Sequence, residues 1–238
     1  MPPPLPFKPL AGVVPCPGGW LVQPARLFTA TIVPEEPFVL PSLTDVIDYR
    51  PTFLYIVIDA PIGLPDEPFG GYRQCDLEAR DLLGWPRRLS VPRVPSREAL
   101  YAPNMQKALA AEPWLTPLAY RRFRWIREVD AEIQAYHQRH IFSGCPDLSV
   151  LLVNGDHAAS TSSFWKDGPA ERLALFQERL PGLRAIAMAK APRGASIRHV
   201  LNAAALLWTA RRIAGRAITR LPQDPQWDEQ GRRIEIVR

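Results

Sequence analysis

One aspartate stands where a sheet protein often places a catalytic carboxylate. Residues 53–58 form an unbroken apolar run rich in β-branched and aromatic side chains, which predicts a central strand buried on both faces. Asp59 follows at once, and Pro61 and Gly63 predict a loop after it. A carboxylate at the end of a central strand is a typical site position in α/β sheets. The alternative is that Asp59 only caps a turn.

Arginines gather in two further segments. Residues 86–103 are rich in proline, which predicts a surface loop or lid, and the apolar spacing of residues 118–140 predicts one long helix. With a net charge of +5, these segments are candidates for contact with phosphate groups, and a solvated arginine-rich face is the plainer interpretation. Trp114 is a candidate for stacking on bases. The candidate phosphate-binding arginines are Arg87, Arg88, Arg93, Arg97, Arg121 and Arg124.

The sequence gives little support for disulfide bonds, for other common kinds of active site or for a membrane span. Cys16, Cys75 and Cys145 are far apart and form no Cys-x-x-Cys pair, which favours reduced thiols in the cytoplasm. No Ser–His–Asp elbow, phosphate loop or dinucleotide fingerprint is found. The chain has no apolar run long enough to cross a membrane and no signal peptide, so we expect a cytoplasmic protein without a membrane partner.

The remaining patterns predict an α/β fold. Residues 1–9 are a proline-rich lead-in, and we expect residues 10–238 to form a single domain. Residues 10–14, 20–22 and 27–33 predict an antiparallel meander. The other predicted elements are helices at 42–49, 76–83, 169–180 and 196–214, the last capped by Ser196, and strands at 150–153 and 234–237, with a loop at 221–231.

Several phrases, taken in order, resemble the domain-of-unknown-function 429 family. They are GV at 12–13, CPGGW at 16–20, IDAPIGLP at 58–65, CDLEAR at 75–80, IREVD at 126–130, AERL at 170–173 and WTA at 208–210. The resemblance implies a ribonuclease-H-like fold, a mixed sheet flanked by helices whose first strands form a meander. It also implies nuclease activity, with two divalent metal ions held on carboxylates that converge from several elements.

This sequence departs from the family pattern where those carboxylates belong. Asp59, Asp76 and Asp147 remain, and they are the residual candidates for catalysis. The resemblance places a first-strand aspartate at Val14, a histidine at Cys145, and acids of the last long helix at positions that are basic or neutral here. The remnant pocket implied by this matching consists of Val14, Cys16, Cys145, Arg198, His199 and Asn202.

Three functional interpretations follow. The first is a catalytically degenerate ribonuclease-H-like protein that binds nucleic acid or a protein partner without a cofactor, with Arg198 paired to Asp59 or Asp147. The second is an active nuclease with a rearranged acidic site, which would hold Mg²⁺ or Mn²⁺ on Asp59 and Asp147, with Asp76 as a further ligand. The third is a zinc site on Cys16, Cys145, His199 and Asp59, although buried cysteines without a metal are the plainer interpretation.

Overall fold

The computed structural model describes residues 6–67 and 69–238, and its centre is a mixed β-sheet. The sheet begins with the predicted meander, in which β1 (Lys8–Cys16), β2 (Gly19–Phe28) and β3 (Thr31–Pro34) pair antiparallel in turn. β4 (Phe38–Leu40) also pairs with β2. The predicted strand at 27–33 is wrong as one element, because the chain turns back at residues 29–30. β1 also begins within the expected lead-in, whose residues 1–5 lie outside the described part.

Two further strands complete this sheet in parallel. β5 (Tyr55–Ile58) pairs with β1, and β6 (Ile141–Ser143) pairs with β5, so that the order is β3-β2-β1-β5-β6. The apolar run at 53–58 therefore supplies an interior strand, as predicted, and Val57 and Ile58 are fully buried. Because β1, β5 and β6 are parallel, their carboxyl ends lie at one edge of the sheet.

Helices cover both faces of this sheet. The longest, α10 (Ile197–Ala214), has Ser196 as its N-cap, as predicted, and packs across β1, β2 and β5. α1 and α6 cover the opposite face. The other helices are α1 (Leu43–Ile47), α2 (Gln74–Leu83), α3 (Arg97–Leu100), α4 (Met105–Ala111), α5 (Pro117–Arg121), α6 (Phe123–Glu132), α7 (Pro146–Val153), α8 (Gly168–Phe176) and α9 (Leu183–Met188).

Two predictions from the arginine-rich segments are wrong. The segment 86–103 is more regular than its prolines indicated, since it contains a 3₁₀ turn at Arg87–Ser90 and the helix α3. The segment 118–140 is broken into α5, α6 and a 3₁₀ turn at Ala135–Arg139. Arg122 lies at the first break, where it ends α5 and begins α6, and Ile133 ends α6 with an extended backbone.

Two predictions near the C-terminal half are also wrong. Residues 150–153 form the last turn of α7 and not a strand, because Pro146 starts a helix in which Val150 and Leu151 are buried. Residues 221–231 are not all loop, since β7 (Arg220–Trp227) forms a two-stranded antiparallel sheet with β8 (Arg233–Val237). The prolines of β7 are tolerated because the strand has only one neighbour and an irregular register. No helix in the described residues is long and apolar enough to cross a membrane.

Candidate functional site

The carboxyl edge of the sheet brings together segments that are distant in sequence. The Asp59 N–H donates to the Val13 carbonyl over 2.9 Å, and the Gly144 N–H donates to the Ile58 carbonyl over 2.9 Å. The Ser143 hydroxyl donates to the Ala60 carbonyl over 2.8 Å. These bonds fix the loop after β5 between the ends of β1 and β6.

Asp59 presents a carboxylate that is only partly exposed and accepts no hydrogen bond from the described residues. Burial raises its pKa to about 6. The positive charges of Arg122 and Arg198 oppose this rise, and the negative charge of Asp147 reinforces it. Asp59 therefore changes charge close to neutral pH, which is unusual for an aspartate.

Arg122 is the site residue that sequence reasoning missed. It lines the same cavity as Asp59, with a volume of about 40 Å³, and its guanidinium forms no ion pair or hydrogen bond within the described residues. Burial lowers its pKa, against the opposing charges of Asp59 and Asp76. The helical spacing held a signal for it, since Arg122 precedes the buried Ile126 by four residues and so lies on the inward face of the helix.

The other two candidate carboxylates are already neutralised by arginines. Arg73 binds Asp76 through two contacts, Nη2 to Oδ1 over 2.8 Å and Nε to Oδ2 over 2.9 Å, and both residues are buried. Arg172, which is fully buried, pairs with Asp147. Arg73 also donates to the Ile62 and Gly63 carbonyls over 3.0 Å each, which holds the loop after Asp59. Of the three acids, only Asp59 has no ion-pair partner in the described residues.

The family described as "Protein of unknown function (DUF429)" matches residues 12–227, which is nearly all of the chain. The chain belongs to this family. No curated protein and no solved structure matches it. The mixed sheet with an antiparallel meander and parallel central strands is consistent with the ribonuclease-H-like fold that the resemblance implied.

The donor atoms at this edge do not fit the two-metal centre that the resemblance implied. Mg²⁺ and Mn²⁺ need several hard oxygen ligands, and a two-metal centre needs carboxylates that contact both ions. Here Asp76 and Asp147 are bound to guanidinium groups, and Arg122 adds a positive charge beside Asp59. Within residues 6–67 and 69–238, no three His, Cys, Asp or Glu side chains are grouped in a way that could hold a metal ion.

The side chains considered for a zinc site are poorly suited to bind a metal ion. The cysteines favour the neutral thiol over the thiolate, and the histidine nitrogens make other contacts. Burial raises the pKa of the Cys16 and Cys145 thiols. Burial and the charge of Arg198 lower the pKa of His199 to about 4. Its Nδ1 lies 2.9 Å from the Ser196 hydroxyl oxygen, and its Nε2 lies 2.9 Å from the Arg198 guanidinium, which can only donate. Both ring nitrogens of His199 are therefore occupied.

The remnant pocket inferred from the family pattern is only partly assembled. Of its six residues, Cys145 lines the Asp59 cavity, whereas Val14 and Cys16 are buried in the core beneath α10. The expected pairing of Arg198 with Asp59 or Asp147 is wrong, because its guanidinium lies 4.2 Å from the centre of the Phe164 ring and contacts His199. Asn202 is buried, and its Oδ1 accepts no hydrogen bond from the described residues.

The candidate phosphate-binding arginines divide into exposed and buried groups. Arg93, Arg121 and Arg124 are exposed, and Arg87 and Arg88 are half-buried. Arg97 is buried in ion pairs with Asp66, Asp130 and Asp228, so it cannot reach a ligand on the surface. Arg97 was therefore wrongly included in this set, because the partners that draw it inward are distant in sequence.

Proposed function

We propose that this chain is a catalytically degenerate, cytoplasmic member of the DUF429 family that binds nucleic acid at the carboxyl edge of its sheet. The observation that carries the proposal is a pair of charged side chains, Asp59 and Arg122, that line one cavity and form no ion pair with the described residues. In a nuclease of this kind, the metal-binding carboxylates would lie at this same edge of the sheet. Two of the three are instead bound to arginines.

The charges around this cavity favour a phosphate group. Four guanidinium groups lie at or near it, against three carboxylates, so the sum is positive even when Asp59 is ionised. The groups are Arg73, Arg122, Arg172 and Arg198, and Asp59, Asp76 and Asp147. The exposed Arg121 and Arg124 lie on either side of Arg122 in sequence and extend the basic surface beyond the cavity. Phosphate contacts of this kind provide most of the affinity of non-specific nucleic-acid binding.

The chemistry of the cysteines supports a reducing compartment. Cys16, Cys75 and Cys145 are all free and buried. A protein partner is the other binding function considered, and no described feature favours it over nucleic acid.

Fluorescence anisotropy with labelled 20-nucleotide single strands of RNA and DNA tests the proposal. We expect binding at 50 mM salt that weakens steeply at 200 mM, because phosphate contacts release counterions. The Arg122→Ala change should weaken binding roughly ten- to hundredfold, since a hydrogen bond to a charged group contributes about 1.5–3 kcal/mol. Arg184→Ala, which removes an exposed arginine outside the cavity, is the matched control and should have little effect.

Two results would overturn the proposal. The first is the absence of a complex with both nucleic acids at low salt. The second is cleavage of the strands that requires Mg²⁺ or Mn²⁺, stops with a chelator and disappears in Asp59→Asn, which would restore the active-nuclease alternative.

A further inference from the structure

A second, larger groove opens beside the Asp59 cavity. Its volume is about 330 Å³, and Pro92 and Arg122 line both spaces. Arg122 therefore stands between a small polar cavity and a groove that could hold a nucleoside. The groove is lined by Pro92, Arg93, Trp114, Thr116, Leu118, Ala119 and Arg122.

The far wall of the groove is rigid and carries a second cation. The Trp114 indole N–H donates to Glu112 over 2.6 Å, and a Cβ at Gly71 would come within 2.7 Å of the Trp114 ring, so this ring is packed tightly. The Arg93 guanidinium lies 5.5 Å from the ring centre of Trp114 and 5.3 Å from that of Tyr72. Arg93 forms no ion pair within the described residues. A ligand in the groove would thus meet an apolar wall between two arginines.

We propose that the cavity and the groove form one site for a nucleotide with a terminal phosphate monoester, its phosphate between Asp59 and Arg122 and its nucleoside along Trp114 and Leu118. This inference rests on the proposed function and specifies the ligand of the same site. The nucleotide is either free or the phosphorylated end of a single strand.

The size of the cavity selects a monoester over a diester. Arg122 needs an acceptor, which either ester supplies, and Asp59 can donate a proton of its own to either. The cavity has a volume of about 40 Å³, and the groove opens beside it along Pro92 and Arg122. A terminal phosphate in the cavity places its one nucleoside in that groove, whereas a phosphodiester within a strand needs room for a second nucleoside.

The nucleoside part is recognised by packing. Leu118 is 72% exposed although it lines the groove, and a base lying on it would remove that apolar surface from water. Aromatic and arginine side chains provide stacking surfaces that accept any base. The site should therefore prefer nucleotides to inorganic phosphate and show little preference among bases.

Isothermal titration of the intact chain with three probes tests this inference. The probes are deoxyadenosine monophosphate, inorganic phosphate and deoxyadenosine, and we expect the monophosphate to bind at least roughly tenfold more tightly than either of the others. Arg122→Ala should weaken monophosphate binding, and so should Leu118→Glu, which places a negative charge in the groove. The controls are Arg184→Ala and Leu82→Glu, which change an exposed arginine and an exposed leucine outside the lining.

Titration with two further probes, a 5′-phosphorylated single strand and its 5′-hydroxyl counterpart, distinguishes the two sources of the ligand. A 5′-phosphorylated strand that binds more tightly than its 5′-hydroxyl counterpart supports recognition of a strand end, and binding of the free monophosphate alone supports a free nucleotide. Equal affinity for both strands, with no heat from the monophosphate, would overturn the inference and leave the proposed nucleic-acid binding intact. Absence of binding to all strands and to the monophosphate would overturn both. Unchanged binding in both Arg122→Ala and Leu118→Glu would place the ligand elsewhere.

Discussion

Asp59 holds a charge in surroundings that do not favour it. Its carboxylate is partly buried, accepts no hydrogen bond from the described residues, and has a pKa raised to about 6, chiefly by burial. A raised carboxyl pKa means that the folded chain binds this proton more tightly than the unfolded chain. Ionised Asp59 therefore destabilises the fold above pH 6, and this cost disappears as the pH falls below about 4.

The Asp59→Asn change should therefore stabilise the protein in a pH-dependent way. We expect an increase in the free energy of unfolding of up to about 3 kcal/mol at pH 8 and almost none at pH 4, because the amide cannot ionise. Urea denaturation at several pH values measures the difference. Asp224→Asn, which changes an exposed carboxylate, is the control and should show no such trend. A less stable Asp59→Asn protein at pH 8 would show that the ionised carboxylate makes a stabilising contact.

Part of this site could be predicted from the sequence. The apolar run before Asp59 predicted a strand end, and the strand lies inside the sheet as expected. The neutralisation of Asp147 could not be predicted, because Arg172 is 25 residues away and reaches it from another helix. Arg122 was missed because the arginines of the predicted long helix were taken for one solvated face.

The contact between α10 and β1 depends on the absence of one side chain. Gly12 lies in the middle of β1, directly beneath α10, and a Cβ there would lie 1.9 Å from the Ala203 carbonyl oxygen and 2.4 Å from the Leu207 nitrogen. Both are backbone atoms of a long helix, so neither can move away as a flexible side chain would. Close packing of this helix on the sheet thus requires glycine at this position.

The Gly12→Ala change should force α10 away from the sheet. We expect a loss of about 3 kcal/mol or more in the free energy of unfolding, at the upper end of the cost of overpacking a core, because the clash involves backbone. Denaturant unfolding monitored by circular dichroism measures this loss. Gly215→Ala is the matched control, since a Cβ there would lie 3.6 Å from its neighbours and should change stability little. Equal stabilities of the two variants would contradict the packing argument.

The elements that sequence patterns predicted well are those with the strongest local signals. The helix α10 spans enough residues to show its period, and the central strand follows from an apolar run rich in β-branched and aromatic residues. The segment 150–153 has only four apolar residues, a length at which a strand and a turn of buried helix look alike. The strand β7 was missed because its two prolines resemble those of a loop, and its single neighbour is what tolerates them.

Across the whole molecule, a buried network of charges joins segments from both halves of the chain. Arg97 of α3 pairs with Asp66, with Asp130 of α6 and with Asp228, and Arg232 pairs with Asp130 and Asp228. Asp228 and Arg232 lie in the turn between β7 and β8, so the network fixes the C-terminal hairpin to the segment that carries the arginine-rich helices. Its partners are up to 131 residues apart, which explains why Arg97 was taken for a surface residue.

The Arg232→Met change should break this network and alter how the protein responds to acid. Arg232 is almost fully buried, so its removal leaves Asp130 and Asp228 undercompensated and should cost roughly 3–5 kcal/mol at pH 7. Burial alone would raise the pKa of Asp228, but hydrogen bonds from Arg232 and Arg97 lower it overall. A lowered carboxyl pKa stabilises the fold above about pH 4, and this contribution is lost as the pH falls through the folded-state pKa. The stability difference between wild type and Arg232→Met, measured by urea unfolding, should therefore shrink from pH 7 to pH 3.

A double variant provides the control for this prediction. Asp228→Asn combined with Arg232→Met should recover part of the loss at pH 7, because it removes one buried charge. A constant difference between wild type and Arg232→Met from pH 7 to pH 3 would show that Arg232 acts through packing alone.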